Sequence, residues 1–171
     1  LTLFIAFIKQ NYPSIQYEIV SVPEKQWETV WAENAKALCF KDYLWICPSH
    51  YELLHTEQPV IHLNPGLAFG TGTHPTTALC LDWLVEHRKW LEDKVVIDYG
   101  CGSGILSIAA LKLGAKKVYA VDHDPQALQA TQENAKNNAI ALDTLEVSLS
   151  GEHLPKADVL VANILANPLI A

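Results

Sequence analysis

A short glycine-rich stretch of the sequence could hold a ligand through its main chain. It reads DYGCGSG, runs from Asp98 to Gly104, and directly follows the apolar run VVI. Gly100, Gly102 and Gly104 alternate with other residues, so the backbone can turn sharply, approach a ligand closely and leave the first amides of a following helix free to donate hydrogen bonds. A tight turn without a ligand is the alternative. The dinucleotide fingerprint G-x-G-x-x-G would need a third glycine at Ile105, so the spacing disfavours a nicotinamide cofactor.

Two acidic residues are placed to recognise a ribose or a cation. Asp122 ends the apolar run KVYAVD and follows Gly100 by 22 residues, about where a doubly wound fold presents an acid to ribose hydroxyls. A helix-capping role is the alternative, but Asp124 followed by Pro125 already has the sequence of a cap. Asp98 lies in a strand end that is usually buried, where it could bond to the glycine-turn amides, bind a ligand's ammonium group or be purely structural.

Two other segments carry polar groups that could contact a ligand. Asn163, in VANILANPL, offers a neutral amide whose carbonyl oxygen could orient an amine, although a lone asparagine is more typical of a helix cap. The segment GLAFGTGTHPTT contains three glycines and four threonines, and it could be a ligand cradle that leads into a helix or a flexible linker. His74, beside a proline, is more typical of a structural residue than of a catalytic one.

The sequence lacks the motifs of several other classes of enzyme. The sequence has no Ser/His/acid order of a hydrolase, no Walker lysine and no H-E-x-x-H zinc motif. His50, His55 and His62 form no convincing metal set with Cys47, so no metal is expected. The cysteines form no C-x-x-C pair and are expected to be free thiols in a reducing cytoplasm. They are Cys39, Cys47, Cys80 and Cys101.

The composition is that of a globular, acidic chain. Its 171 residues are 50% hydrophobic, enough for one domain with a core or for one domain and part of another. The net charge of -7 argues against a generic basic nucleic-acid surface and is compatible with a positively charged partner or with simple solubility. The opening LTLFIAFIKQ is too short to span a membrane and lacks the features of a signal peptide, and we expect a buried strand there.

The pattern of predicted elements changes near residue 60. Before it, the strand-like runs YEIVSV and YLWICPS flank a helical stretch, EKQWETVWAENAK, which together indicate a small α+β unit. Residues 59–77 are predicted as a connector rich in proline, glycine and threonine. A helix over ALCLDWLVEH follows, with Thr76 or Thr77 as its cap.

After Lys94, apolar runs alternate with helical segments. Strands are predicted at VVIDYG, KVYAVD, TLEVSL and ADVLVAN, and helices at ILSIAALKLG and PQALQATQENAKNN. This alternation predicts right-handed βαβ units and a parallel sheet with helices on its faces. Because such sheets bind ligands at their carboxyl edge, the glycine turn, Asp122 and Asn163 are expected to meet there.

Taken together, these residues resemble a class I S-adenosylmethionine-dependent methyltransferase. The features that carry the resemblance are the D-x-G-x-G-x-G turn, the acid that ends the second strand and the asparagine that ends the fourth. The resemblance narrows to the PrmA family, which methylates large-subunit ribosomal protein eleven. The segments that narrow it are LNPGLAFGTGTHPTTALCLDWL, VIDYGCGSGILSIAALKLGAKKVYAVDHDPQAL and ADVLVANILANPL, and WETVW and LWICPS extend the similarity upstream to Trp27.

The resemblance implies a fold, a cofactor and a substrate. The fold would be an α/β, Rossmann-like doubly wound parallel sheet, truncated after its fourth strand. Residues 1–58 would be part of an α+β substrate-recognition domain, 59–77 an interdomain loop and 78–171 the cofactor-binding domain. The enzyme would transfer methyl groups from S-adenosylmethionine to lysine and N-terminal amines of the ribosomal protein and release S-adenosylhomocysteine. We expect a cytoplasmic monomer with no direct contact to nucleic acid or membrane.

The resemblance also assigns roles to individual residues. Thr77 would contact the cofactor, Gly100 would pack against it, Asp122 would hold its ribose, and Asn163 would face the methyl donor and the incoming amine. The remaining cofactor-site residues would be Thr73, His74, Asp98, Gly102 and Gly104. Two alternatives are a methyltransferase of the same core acting on another protein or a small molecule, which the GTGTHPTT loop disfavours, and a non-catalytic cofactor-binding module, which Asn163 disfavours.

Overall fold

A computed structural model describes residues 2–18, 20, 36–49, 51, 56–64, 72–141, 143–151 and 154–165. Its helices are α1 (Thr2–Asn11), α2 (Pro75–Glu86), α3 (Arg88–Leu91), α4 (Ile105–Lys112) and α5 (Pro125–Asn137). Its strands are β1 (Leu38–Phe40), β2 (Leu44–Pro48), β3 (Val60–Leu63), β4 (Val95–Tyr99), β5 (Lys117–Asp122), β6 (Leu145–Leu149) and β7 (Val159–Val161).

The larger sheet has four parallel strands in the order β6-β5-β4-β7. The predicted α/β class with a parallel sheet is therefore confirmed. Val96 and Val118 are fully buried, as expected where helices cover a parallel sheet and its strands read as continuous apolar runs. The chain winds from β4 through β5 to β6 and then returns to β7 on the other side of β4. The winding direction thus reverses between β4 and β7, and ligands bind at such switch points.

The two helices that follow β4 and β5 begin and end where local sequence signals place them. Gly104 adopts a left-handed conformation immediately before α4, and Gly114, also at positive φ, follows its end. Asp124 caps α5 by accepting a hydrogen bond from the Gln126 amide at 2.9 Å, and Pro125 is the first residue of that helix. The predicted cap of this helix is confirmed.

A second sheet of three strands, β1-β2-β3, packs on these helices. β1 and β2 are antiparallel, whereas β2 and β3 are parallel. Both α4 and α5 contact β3 as well as the larger sheet, so the two helices lie between the sheets. Leu44 and Ile61 of the small sheet are fully buried in the same hydrophobic cluster as Leu84 and Ile108. One continuous core therefore joins the two sheets.

The amino-terminal prediction was wrong. Residues 2–11 form helix α1, not a buried strand, and Phe4 and Phe7 are 64% and 55% exposed. A short apolar run does not distinguish a strand from a helix by its periodicity. In the predicted strand at residues 17–22, the described residues Tyr17, Glu18 and Val20 have no strand structure, and nearly all of the predicted helix at 24–36 lies outside the described residues. Within the described ranges, no helix is both long and apolar enough to cross a bilayer.

Regular structure also lies inside the predicted connector. Strand β3 occupies residues 60–63, and α2 begins at Pro75 with His74 as its cap in place of Thr76 or Thr77. The Nδ1 atom of His74 accepts a hydrogen bond from the Thr76 amide at 3.3 Å. Proline at the first helical position is a recognised start signal, and here it marks the helix start better than the threonines do. The domain division at residues 58 and 77 stays a prediction.

Candidate functional site

Two adjoining cavities open at the carboxyl edge of the larger sheet, where its winding reverses. Their volumes are about 830 Å³ and about 160 Å³. They share a wall made of Gly100, Asp122, His123, Asn163 and Ile164. These residues end or follow strands β4, β5 and β7, so the topology brings together groups that are far apart in sequence. The larger volume lies within the usual range of small-molecule sites.

The structure places most of the predicted site residues around these cavities. Gly100, Asp122 and Asn163 line both of them, His74 lines the larger one, and Thr77 and Gly102 line the smaller one. The other three predicted residues are not in the cavity walls. These residues are Thr73, Asp98 and Gly104.

Gly100 is closely packed within the glycine turn. Its φ angle is 82°, and a Cβ atom built there would lie 2.2 Å from the Cγ2 atom of Ile164. The amides of Gly100 and Cys101 both donate to the Val121 carbonyl, at 2.7 and 3.0 Å, which fixes the turn against β5. A side chain at this position would therefore strain the backbone and fill the cleft.

Gly104 has a packing role. It has a φ angle of 79°, and a Cβ atom there would lie 2.9 Å from the Cγ2 atom of Thr131 on α5. Thr131 is fully buried, and its hydroxyl donates to the Gly102 carbonyl at 3.0 Å. The turn and α5 are thus in direct contact, which accounts for a glycine here.

Asp122 is held in place by two main-chain amides. Its Oδ2 atom accepts from the Gly102 amide at 3.0 Å, and its Oδ1 atom accepts from the Asp124 amide at 3.1 Å. The Nδ1 atom of His123 lies 3.2 Å from Oδ1. The carboxylate that accepts a hydrogen bond from the glycine turn is therefore that of Asp122. From the sequence alone, this contact was one option for Asp98. Asp122 is 8% exposed and borders the cleft, so its orientation is fixed before any ligand binds.

Asp98 is fully buried behind the turn. Its Oδ2 atom accepts a short hydrogen bond of 2.6 Å from the Ser107 hydroxyl, while its Oδ1 atom has no hydrogen-bond partner within the described part of the chain. Burial raises the pKa of Asp98 to about 6, the Ser107 hydrogen bonds oppose this, and the charge of Asp122 adds to it. A buried, partly satisfied carboxylate destabilises the fold when it is charged.

We expect the Asp98→Asn substitution to stabilise the protein by about 2 kcal/mol at neutral pH. Each pKa unit corresponds to about 1.4 kcal/mol, and an asparagine accepts a weaker hydrogen bond from Ser107. Because the folded-state pKa is raised above its ordinary value of 3.8, the folded protein binds a proton that the unfolded chain has lost. The stability of the wild type relative to the variant therefore falls as pH rises from 3.8 to about 6.

Urea unfolding of both proteins between pH 4 and pH 8 tests this expectation. The Asp124→Asn variant is the control, because Asp124 is an exposed cap and its substitution should leave the pH dependence in this window close to that of the wild type. A constant stability difference between wild type and Asp98→Asn across the whole range would contradict the effect of burial.

Asn163 is connected to the start of α2 by a single hydrogen bond. Its Nδ2 atom donates to the Thr77 hydroxyl oxygen at 2.9 Å, although the two residues are 86 positions apart. Thr77 is 1% exposed, and Asn163 is partly buried. Because the amide nitrogen is directed at Thr77, the carbonyl oxygen of Asn163 is the atom left to accept a hydrogen bond in the cleft.

Cys101 lies in the glycine turn and lines the smaller cavity. It is 5% exposed, and its Sγ atom lies 3.3 Å from the Thr131 hydroxyl, whose one proton it shares with the Gly102 carbonyl. Burial, followed by the charge of Asp98, raises its pKa to about 12. All four cysteines are free thiols, as predicted. Among the residues described, no cluster of histidine, cysteine and acidic side chains could hold a metal ion.

Sequence reasoning missed several cavity-lining residues. Tyr99 and Val121 lie at the ends of β4 and β5, Ser150 follows β6, and Ile164 follows Asn163. The signal was available, because residues at the carboxyl ends of parallel strands line the ligand crevice in this class of fold. His123, at 89% side-chain exposure beside Asp122, belongs to the same group.

The residues present fit a nucleoside-containing sulfonium cofactor such as S-adenosylmethionine. Asp122 presents a preoriented carboxylate to a ribose diol, and the bare backbone at Gly100 allows close approach. Val121 and Ile164 give the cleft an apolar wall suited to a base. The fit rests on the shape of the glycine turn at Gly100 and on the position of the Asp122 carboxylate.

Comparisons with known proteins point to one family. The sequence model of the family described as "Ribosomal protein L11 methyltransferase (PrmA)" matches residues 3–171. A protein of Nitrosococcus oceani named ribosomal protein L11 methyltransferase is 54% identical over 162 residues, which are 94% of this chain and 54% of that protein. One of the same name from Colwellia psychrerythraea is 50% identical over 169 residues, which are 96% of this chain and 57% of that protein.

A solved structure is also similar. The crystal structure of the ribosomal protein L11 methylase from Lactobacillus delbrueckii subsp. bulgaricus superposes with a TM-score of 0.68 at 38% sequence identity. The match covers 80% of this chain and 70% of that chain. The chain spans a little over half the length of the two sequence relatives given above.

Proposed function

Because the chain belongs to the ribosomal protein L11 methyltransferase family, we propose that it contributes the cofactor site of an enzyme that methylates ribosomal protein L11. The observation that carries the proposal is the pairing of Asn163 with Thr77 in the wall of the cleft bordered by Gly100 and Asp122. This arrangement presents an oriented acceptor beside the cofactor, which a protein that only stores the cofactor would not need.

The cofactor would be S-adenosylmethionine, whose sulfonium supplies an electrophilic methyl group when bound. Asp122 would accept hydrogen bonds from the ribose hydroxyls while the Gly102 and Asp124 amides hold its carboxylate in place. The bare backbone at Gly100 would lie against the cofactor, and His74 and Thr73 would contact it from the loop before α2. Asp98, which is buried behind the turn and outside the cavity walls, would act on a ligand's ammonium group through the charge of its carboxylate.

The acceptors would be lysine side chains and the N-terminal amine of the ribosomal protein. The carbonyl oxygen of Asn163 would accept a hydrogen bond from the incoming amine and hold its lone pair in line with the methyl group. Positioning of this kind lowers the barrier of the chemical step because the entropy cost of bringing the two reactants together is met when they bind. An amine must lose a proton before it attacks, and solvent is the proton acceptor that we assign.

The same proposal covers the domain organisation of the enzyme, its partner and its location. Residues 1–58 would belong to a substrate-recognition unit, 59–77 to an interdomain loop and 78–171 to the catalytic unit. The net charge of -7 suits a basic ribosomal protein as partner. The enzyme would act in the cytoplasm as a monomer.

A methyl-transfer assay tests the proposal and the role of Asn163 together. The protein, S-adenosylmethionine and purified ribosomal protein L11 are incubated, and methylated peptides are counted by mass spectrometry. We expect methylation of amines by the wild type, and we expect Asn163→Ala to lower kcat about tenfold because one orienting hydrogen bond is lost. The Thr77→Val variant, which removes only the acceptor for the Asn163 amide, should have a smaller effect.

The matched control is Asn137→Ala, which removes an exposed asparagine of α5 away from the cleft and should leave kcat unchanged. Methylation of a different protein in a cell extract, with none on ribosomal protein L11, would exclude the proposed substrate. An Asn163→Ala variant as fast as the wild type would exclude the role given to Asn163.

A further inference from the structure

Two asparagines, one near the end of α5 and one at its C-cap, bond to the small sheet and the residue after it. Asn134 and Asn138 are one helical turn apart and are 1% and 7% exposed. The Asn138 side chain accepts from the His62 amide at 2.8 Å and donates to the His62 carbonyl at 2.7 Å. The Asn134 side chain does the same with Asn64, at 2.9 and 3.1 Å. The two amides thus bond to alternate residues at the end of β3, as a neighbouring strand would.

The two asparagines differ in their third hydrogen bond. Asn138 donates to the Asn134 carbonyl at 2.8 Å, which lies within the same helix. Asn134 donates to the Ser103 carbonyl at 2.9 Å, which lies in the glycine turn. One buried side chain therefore joins the residue after β3 to the turn that borders the cleft, whereas its neighbour joins β3 only to α5.

The turn has little freedom to move independently of this side chain. Thr131, one turn before Asn134, donates to the carbonyl of Gly102, the residue before Ser103. The close approach of Gly104 to Thr131 leaves no space between the turn and α5. Removing the Asn134 amide would therefore take away the hydrogen bond that ties the Ser103 carbonyl to α5.

We propose that Asn134 is a positioning residue for the cofactor site, acting through Ser103 to keep the glycine turn in register with the end of β3. The inference rests on the proposed function, because it concerns the binding of S-adenosylmethionine. No residue of α5 lines either cavity, so the proposal gives this helix an indirect role in cofactor affinity. It also means that the small sheet and the cofactor turn respond to each other.

The comparison of Asn134→Ala with Asn138→Ala tests the proposal. Each substitution removes three hydrogen bonds, two of them to the backbone of one residue in or directly after β3. A purely structural role therefore predicts similar losses of stability and of cofactor affinity in both variants. We expect calorimetric titration with S-adenosylmethionine to give a Kd raised about tenfold more by Asn134→Ala than by Asn138→Ala. Equal Kd values for the two folded variants would overturn the proposal. A folded wild type that does not bind the cofactor would overturn the proposed function itself, and this coupling with it.

Amide hydrogen exchange on the unsubstituted protein gives a second test that does not depend on variants folding. The Asn64 amide is bonded to Asn134 and the His62 amide to Asn138, and neither residue lines the cleft. We expect cofactor binding to slow exchange at Asn64 at least about fivefold more than at His62, because only Asn64 is coupled to the turn. The same slowing at both amides, with the cofactor demonstrably bound, would refute the coupling.

Discussion

Replacement of Asp122 by alanine is expected to weaken S-adenosylmethionine binding about 1,000-fold. Two hydrogen bonds from a ribose diol to a carboxylate are charge-assisted, and each contributes roughly 1.5–3 kcal/mol. The loss of affinity is increased because the Gly102 and Asp124 amides, which now donate hydrogen bonds to Asp122, would have to find other partners. Isothermal titration calorimetry with the wild type and the variant measures the effect.

The control for this prediction lies two residues along the chain. Asp124→Ala removes an exposed acid that caps α5, at an expected cost of about 1 kcal/mol in stability, and should leave cofactor affinity nearly unchanged. If Asp122→Ala bound the cofactor as tightly as the wild type, the assignment of the ribose to Asp122 would be wrong. If both variants lost binding equally, general damage to α5 would be the explanation.

Gly100→Ala is expected to abolish measurable cofactor binding and to destabilise the fold by about 3 kcal/mol. Two separate causes act at this position. The φ angle of 82° strains any residue with a Cβ atom, and that Cβ atom would lie 2.2 Å from Ile164. To relieve the clash, the Ile164 side chain would have to move within the cavity wall against which the cofactor is proposed to lie.

Gly151→Ala separates these two causes. Gly151 has a φ angle of 100° but nothing within 4 Å of a built Cβ atom, so only the backbone strain should appear, at about 1 kcal/mol. The double substitution Gly100→Ala with Ile164→Ala should recover part of the stability lost by Gly100→Ala alone. Urea unfolding and calorimetric titration of the four proteins provide the comparison, and a Gly100→Ala variant no less stable than Gly151→Ala would contradict the packing argument.

The parallel sheet was predictable because each of its signals is local. The continuous apolar runs that became β4 and β5 indicate strands buried on both faces, and Asp124 with Pro125 marks the start of α5 within the sequence itself. Since parallel strands share one carboxyl edge, the meeting of Gly100, Asp122 and Asn163 around one cleft followed from topology.

What the sequence did not reveal depends on contacts between distant segments. The apolar residues 2–11 fit a strand or a helix, and periodicity alone could not decide between them. The packing of β3 on α5 through Asn134 and Asn138 joins residues more than 60 positions apart, and polar helix residues give no sign of which backbone they will bond. The distinction between Asp122 and Asp98 as the partner of the turn likewise depends on the exact path of the backbone.

The burial of Cys101 has a chemical consequence if the proposed sulfonium cofactor binds beside it. A thiolate is the strongest nucleophile among protein side chains, and this sulfur lies in the wall of the smaller cavity, next to where an electrophilic methyl group is proposed to bind. With a pKa of about 12, on the order of one thiol in 100,000 is ionised at pH 7. The low-dielectric packing of the turn therefore keeps this thiol in its weakly nucleophilic, protonated form beside the proposed methyl donor.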